Sequence, residues 1–231
     1  YKTQLQTHMA ALTRALYELY GNRWDFYRIL ERLEGILAAA DKARASDLKA
    51  LDDEYLKAKD NGREPWFLSN KTVGTMLYVD LFSDNLKNLA SKIEYFKEMG
   101  INYVHLMPLF KTLKGDNDGG YAVSSYREVQ KKLGSMADLR ALAKSFRKEG
   151  IHTVIDFVFN HTSCEHEWAK KACEGNAKFR EFYYIYKNKS EADEWNKTLR
   201  EIFPSAGEEA SPTLKKPAVG FGQRSTRFSG T

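Results

Sequence analysis

Three apolar runs alternating with amphipathic stretches predict an α/β fold, and a leucine-striped opening predicts a helical domain ahead of it. The apolar runs lie at residues 73–82, 103–107 and 152–159. Between them fall residues 86–99, closed by Gly100, and a stretch from Ser135 to about 149, closed by Gly150. Strand, helix, strand, long loop, helix, strand is a βα repeat, which requires a parallel sheet with crossover connections. The fold class expected is therefore an incomplete (β/α)8 TIM barrel of about three strands, preceded by a helical N-terminal domain.

The opening segment justifies its helices first. Leu5, Met9, Leu12, Leu16 and Leu19 recur at steps of three and four, the stripe of an amphipathic helix. Gly21 and Asn22 break it, and Phe26, Ile29, Leu30, Leu33, Ile36 and Leu37 mark a second helix over about 23–40. A third, charged stretch starts at Ser46 and ends in the turn residues Asp60, Asn61 and Gly62. Residues 1–65 are expected to form this domain, its stripes serving as core rather than as a ligand surface. Residues 66–160 then carry the first part of the barrel. Ser135 with Asp138 three positions on has the form of a capping box. The run at 152–159 is apolar on both faces, as a strand covered on two sides should be. Residues 161–210 show few periodic signals and are read as a long excursion after the third strand.

Composition bounds the function. At 231 residues, 42% hydrophobic and 13% aromatic, the chain can bury one or two proper cores. No apolar run approaches the roughly 20 residues that span a bilayer, so no membrane role is expected. The first residues lack a basic-then-apolar leader, which points to the cytoplasm. Secretion stays open, because the chain begins at Tyr1 rather than Met. Cys164 and Cys173 are not spaced as a zinc or redox pair and are expected to be free thiols. The net charge of +5 is concentrated in the tail: residues 211–231 hold Lys215, Lys216, Arg224 and Arg227 and no acid. Without them 32 basic residues face 31 acidic ones, so nucleic acid is not an expected partner.

Two segments carry chemistry. Asp118-Gly119-Gly120-Tyr121 lies in the loop after the second strand, and its glycines permit a tight turn that sets a carboxylate and a ring toward one cavity. A ring stacks on the apolar face of a pyranose, and a carboxylate accepts its hydroxyl protons. Read alone, the segment fits a simple Asp-Gly turn better than a sugar site. Asp156 sits inside the third apolar run, where a buried carboxylate needs a donor, and its expected role is to orient neighbouring loops. Asn160 and His161 follow at the strand's end, where barrels of this kind keep their chemistry.

Several of these segments, in order, resemble the α-amylase family of glycoside hydrolases: 79–82 (Val-Asp-Leu-Phe), 105–110 (His-Leu-Met-Pro-Leu-Phe), Asp118 to Tyr121, and 156–162. Within that family, residues 118–126, 160–163, 165–168 and 200–204 resemble the amylosucrases, as does the helical N-terminal domain. The resemblance reaches to about residue 205 and makes 161–210 the start of the insertion after strand three, like a B domain. It implies a retaining α-transglucosidase that takes sucrose as donor and builds α-1,4-glucan, with no cofactor and no metal. It also implies that Asp118 clamps the donor pocket, Tyr121 stacks on the glucosyl ring, His161 hydrogen-bonds it, and Arg200 serves the acceptor side. A sucrose hydrolase or other α-glucosidase of the same family is the first alternative. A non-catalytic fragment with weak sugar or partner binding is the second.

The tail departs from the pattern. The nucleophilic aspartate, the acid glutamate and their companions belong to strands four to seven, so no catalytic residue is expected here and this chain by itself is expected to be inactive. Read out of frame, permitted codons for residues 220–231 spell Trp-Val-Trp-Thr-Thr-Phe-Asn-Pro-Phe-Gln-Trp-Asp, a tract the resembled family carries at this place. A frameshift between about 206 and 219 is therefore the expected origin of the aberrant tail at 211–231. The idea fails if the shifted frame of the gene runs at once into stop codons.

Overall fold

The computed structural model describes residues 2–183 apart from 45, 116 and 160, together with 185, 186, 188, 190, 194, 197, 220 and 221. Arg200 and most of the tail lie outside the described residues. The chain divides into two compact units, Tyr1–Lys71 and Thr72–Thr231.

The first unit holds helices α1 (Lys2–Tyr20), α2 (Phe26–Ala43) and α3 (Ser46–Asp60). Gly21 ends α1, its amide donating to the Tyr17 carbonyl at 2.8 Å. Phe26 is the buried hydrophobic residue of this unit among the described residues, and Tyr17 meets its ring edge-on at 5.4 Å. Leu19, Ile36 and Trp24 stay exposed, so the leucine stripes cover less core than their spacing alone suggests.

The second unit is a partial (β/α)8 barrel. Strands β1 (Gly74–Leu77), β2 (Tyr103–Leu106) and β5 (His152–Ile155) form one parallel sheet in the order β1-β2-β5. Helices α5 (Leu86–Ala90) and α6 (Ile93–Glu98) separate the first two strands, and α7 (Met136–Lys148) precedes the third. Their apolar faces supply Leu86, Leu89, Phe96, Leu139, Leu142 and Phe146 to one core with Val104 and Leu106 of β2. Ser135 caps α7 in a full capping box with Asp138, as the spacing predicted.

Four local expectations change. The run at 73–82 is strand only to Leu77; Tyr78 then caps a short helix α4 (Val79–Ser83), which buries Val79 and leaves Leu81 83% exposed. Short apolar runs carry no period by which to tell the two apart. The single helix at 86–99 is two helices, because Ser91 Oγ donates to the Asn88 carbonyl at 2.7 Å and ends the first turn set locally. The long loop before α7 contains an antiparallel pair, β3 (Phe110–Thr112) and β4 (Val123–Val129), interrupted by register shifts. The third run ends as strand at Ile155, leaving Phe157 and Phe159 exposed. Beyond it, residues 161–186 supply α8 (Glu167–Cys173), α9 (Ala177–Arg180) and β6 (Ile185–Tyr186), the last paired with β7 (Gly220–Phe221). No helix among the described residues is long and apolar enough to cross a membrane.

Candidate functional site

Strand parity places the site. Leu77, Val104, Leu106, Ile151 and Ile155 pack toward the helices in the core. Alternate strand residues face opposite sides, so Met76, His105 and Val154, which are aligned across the sheet, face the other way. Tyr78 and Asp156 continue that second face one step past the ends of β1 and β5. All three parallel strands therefore deliver polar groups to the carboxyl-end rim of the sheet's inner face.

Those groups are joined. Asp156 lies with Oδ1 3.1 Å from His105 Nε2, and its Oδ2 accepts from the Tyr121 hydroxyl at 3.2 Å. A carboxylate only accepts, so His105 must present Nε2–H. Each carboxylate oxygen thus accepts from a side chain of the rim.

The Asp118 turn is held from three sides. Asp118, Gly119 and Gly120 all have positive φ, at 53°, 61° and 99°. Asn117 Oδ1 accepts from the Gly120 amide at 2.9 Å, and the Tyr78 hydroxyl donates to the Gly119 carbonyl at 3.3 Å. A Cβ on Gly120 would lie 2.8 Å from Pro108 Cβ, so only glycine fits. The turn closes with the Tyr121 amide donating to the Asp118 carbonyl at 3.1 Å.

His161 arrives from the other side. The Tyr126 hydroxyl donates to the Val158 carbonyl at 2.6 Å and to the His161 carbonyl at 3.2 Å, and the Ser163 amide donates to the Val123 carbonyl at 2.9 Å. Thr162 Oγ1 and the Tyr183 hydroxyl are 2.9 Å apart. The segment after β5 is thereby strapped along β4.

The electrostatics of these groups follow from their surroundings. Burial, and then the Asp156 carboxylate, push the Tyr121 phenol above its ordinary value, with Tyr78 and Asp118 adding to it. Burial pulls the His161 imidazole below 6.5, while the Tyr121 backbone and the Asp118 carboxylate pull it back. Asp118 thus acts on both groups. His161 Nδ1 is buried without a hydrogen-bond partner.

The structure brings Asp118, Tyr121 and His161 together; Arg200 and Asn160 lie outside the described residues. Tyr78 and His105 join the site although motif reading did not single them out. Strand parity counted one residue forward from the partly buried Leu77 and one back from the buried Leu106 would have found both. Among the described residues no group of three or more His, Cys, Asp or Glu side chains is placed to hold a metal ion. Cys164 and Cys173 are free thiols.

Polar groups at the carboxyl ends of parallel strands occupy the face where (β/α)8 barrels keep their functional residues. Residues 41–209 match the family described as alpha amylase, catalytic domain, and the chain belongs to that family. It is 35% identical over 114 residues to an oligo-1,6-glucosidase of Parageobacillus thermoglucosidasius, covering 48% of this chain and 20% of that protein. A 4-alpha-glucanotransferase of Thermotoga neapolitana is 31% identical over 129 residues, covering 53% and 28%. The solved trehalose-6-phosphate hydrolase (TreA) of Bacillus licheniformis superposes with a TM-score of 0.57 at 26% identity, over 71% of this chain and 29% of that one. The chain thus spans about a fifth to three tenths of the length of these relatives.

Proposed function

We propose that this chain supplies the glucosyl-holding side of an amylosucrase-like retaining α-transglucosidase, with sucrose as donor and a growing α-1,4-glucan as acceptor. The observation that carries the reading is the convergence of Asp118, Tyr121 and His161 at the strand ends. In it the Tyr121 ring face meets the apolar face of a glucosyl unit, Asp118 accepts from its hydroxyls, and the His161 imidazole hydrogen-bonds another. Arg200 is assigned to the acceptor side on the resemblance alone. We assign Asp156 an orienting role, because each of its oxygens accepts from a side chain of the rim, His105 or Tyr121. We assign no residue of this chain as nucleophile or general acid, the two carboxyl groups that retention requires.

The names of the relatives support a second reading, an α-glucosidase that passes the glucosyl unit to water. The two readings share the donor pocket and part only at the acceptor.

The test is calorimetric titration of the 231-residue chain with sucrose, beside an assay for released fructose. Binding that Asp118→Asn and Tyr121→Ala each weaken about tenfold or more supports the pocket, since each removes a principal contact. Fructose release would refute the assignment of binding without catalysis. Sucrose affinity indifferent to both substitutions would leave the chain a non-catalytic fragment.

A further inference from the structure

We propose that His105 is a positioning residue, which fixes the Tyr121 ring by way of Asp156; the inference rests on the sugar-stacking role of Tyr121 given above. The geometry is a three-membered chain: His105 Nε2–H to Asp156 Oδ1 at 3.1 Å, and Tyr121 O–H to Asp156 Oδ2 at 3.2 Å. His105 stands on β2, paired in register with Met76 and Val154, and its backbone is set by hydrogen bonding on both sides of the strand. Tyr121 has no such support. It follows a turn of three positive-φ residues, and its own backbone lies outside any strand.

A stacking ring must hold its plane to be useful, and a loop cannot do that alone. The hydroxyl at the far end of the ring is the one handle by which a rigid element can grip it. Asp156 grips it, and His105 holds Asp156, because a carboxylate with one unmade hydrogen bond is free to rotate about its Cβ–Cγ bond. The same arrangement has a consequence for ligand choice. With its hydrogen given to Asp156, the Tyr121 hydroxyl cannot donate to a ligand, which it meets through its ring face and as an acceptor. The pocket then selects a sugar for an apolar face, as in a pyranose with equatorial hydroxyls, and disfavours a ligand group that needs a donor at the Tyr121 oxygen.

Four proteins test the inference: the parent chain, His105→Leu (similar in size, no donor), His105→Gln (an amide N–H near the position of Nε2) and Tyr121→Ala. With tyrosine ring carbons labelled for NMR, the Tyr121 resonance is identified by its loss in Tyr121→Ala. His105→Leu is expected to move that resonance and to weaken sucrose binding about tenfold, the loss of one hydrogen bond to a charged group. His105→Gln is expected to restore both. A Tyr121 resonance unmoved in His105→Leu, with only the unfolding midpoint lowered, would overturn the inference and leave His105 as packing.

Should His105→Leu not fold, long-range proton–nitrogen correlation on the parent decides. His105 protonated at Nε2 upholds the chain, and protonation at Nδ1 alone breaks it. Sucrose affinity unchanged in Tyr121→Ala would sink the sugar reading instead, while the ring resonance still judges the positioning.

Discussion

The Tyr126 hydroxyl donates to the Val158 carbonyl at 2.6 Å, while the Tyr126 ring stacks on Phe157 with centroids 4.9 Å apart and planes 20° from parallel. One side chain on β4 thus fastens the segment that leads from β5 to His161, by a polar and an apolar grip at once. Tyr126→Phe keeps the ring and removes the bond. It is expected to cost about 1 kcal/mol of stability in denaturant titration, the net worth of such a bond. Because the His161 carbonyl also loses a donor, sucrose affinity should fall with it.

The alkaline limb of stability follows from the same residue. Burial pushes the Tyr126 phenol up to about 12 from 10.0. A group whose folded value is raised stabilises the fold fully below its unfolded value and loses that contribution as pH rises through the folded one. Stability should therefore decline between about pH 10 and pH 12, and the decline should be shallower in Tyr126→Phe.

An acid limb is expected from His161 and His166, both pulled below 6.5 chiefly by burial. The unfolded chain then binds protons that the folded chain refuses, so stability is whole above about 6.5 and falls as pH drops below it. Denaturant midpoints measured from pH 7.5 down to 4.5 in the parent and in His166→Asn would divide the slope between the two imidazoles. A midpoint flat across that range in the parent would contradict their burial.

Two glycines separate strain from collision. Gly115 and Gly120 both have positive φ, at 86° and 99°, yet a Cβ on Gly115 meets nothing within 4 Å while one on Gly120 meets Pro108 Cβ at 2.8 Å. Gly115→Ala should cost about 1 kcal/mol, the backbone term alone. Gly120→Ala should cost clearly more and should also displace Asp118, read as weakened sucrose binding. Equal costs would mean that Pro108 gives way.

Phe159 is 89% exposed, and its ring touches only Phe157 among the described aromatic contacts, at 4.7 Å. Phe159→Ser is expected to change stability by less than about 0.5 kcal/mol. It should also reduce self-association seen by sedimentation, since an exposed aromatic pair beside a sheet edge invites contact.

The three parallel strands, α7 with its capping box, and the polar positions Asp118, Tyr121 and His161 just past strand ends were legible because each has a local cause. Those causes are an apolar run, a Ser with an Asp three residues on, and polar groups placed just past strand ends. The division of 73–82 into β1 and α4, the break after Ala90, and the β3–β4 pair were not legible. Their causes are a buried Val79, a Ser91 hydroxyl turned onto Asn88, and partners that lie more than ten residues away.

The amino-acid order by itself determined that this chain is a parallel α/β protein with an acid, a ring and an imidazole at its strand ends, since hydrophobic period and turn chemistry act over a few residues. Only the tertiary structure decided that Tyr78 and His105 share that rim and that Asp156 is spent on His105 and Tyr121. Those pairings span up to 51 positions of the chain, and no local rule reaches so far: they exist because the register of three strands sets the inner face.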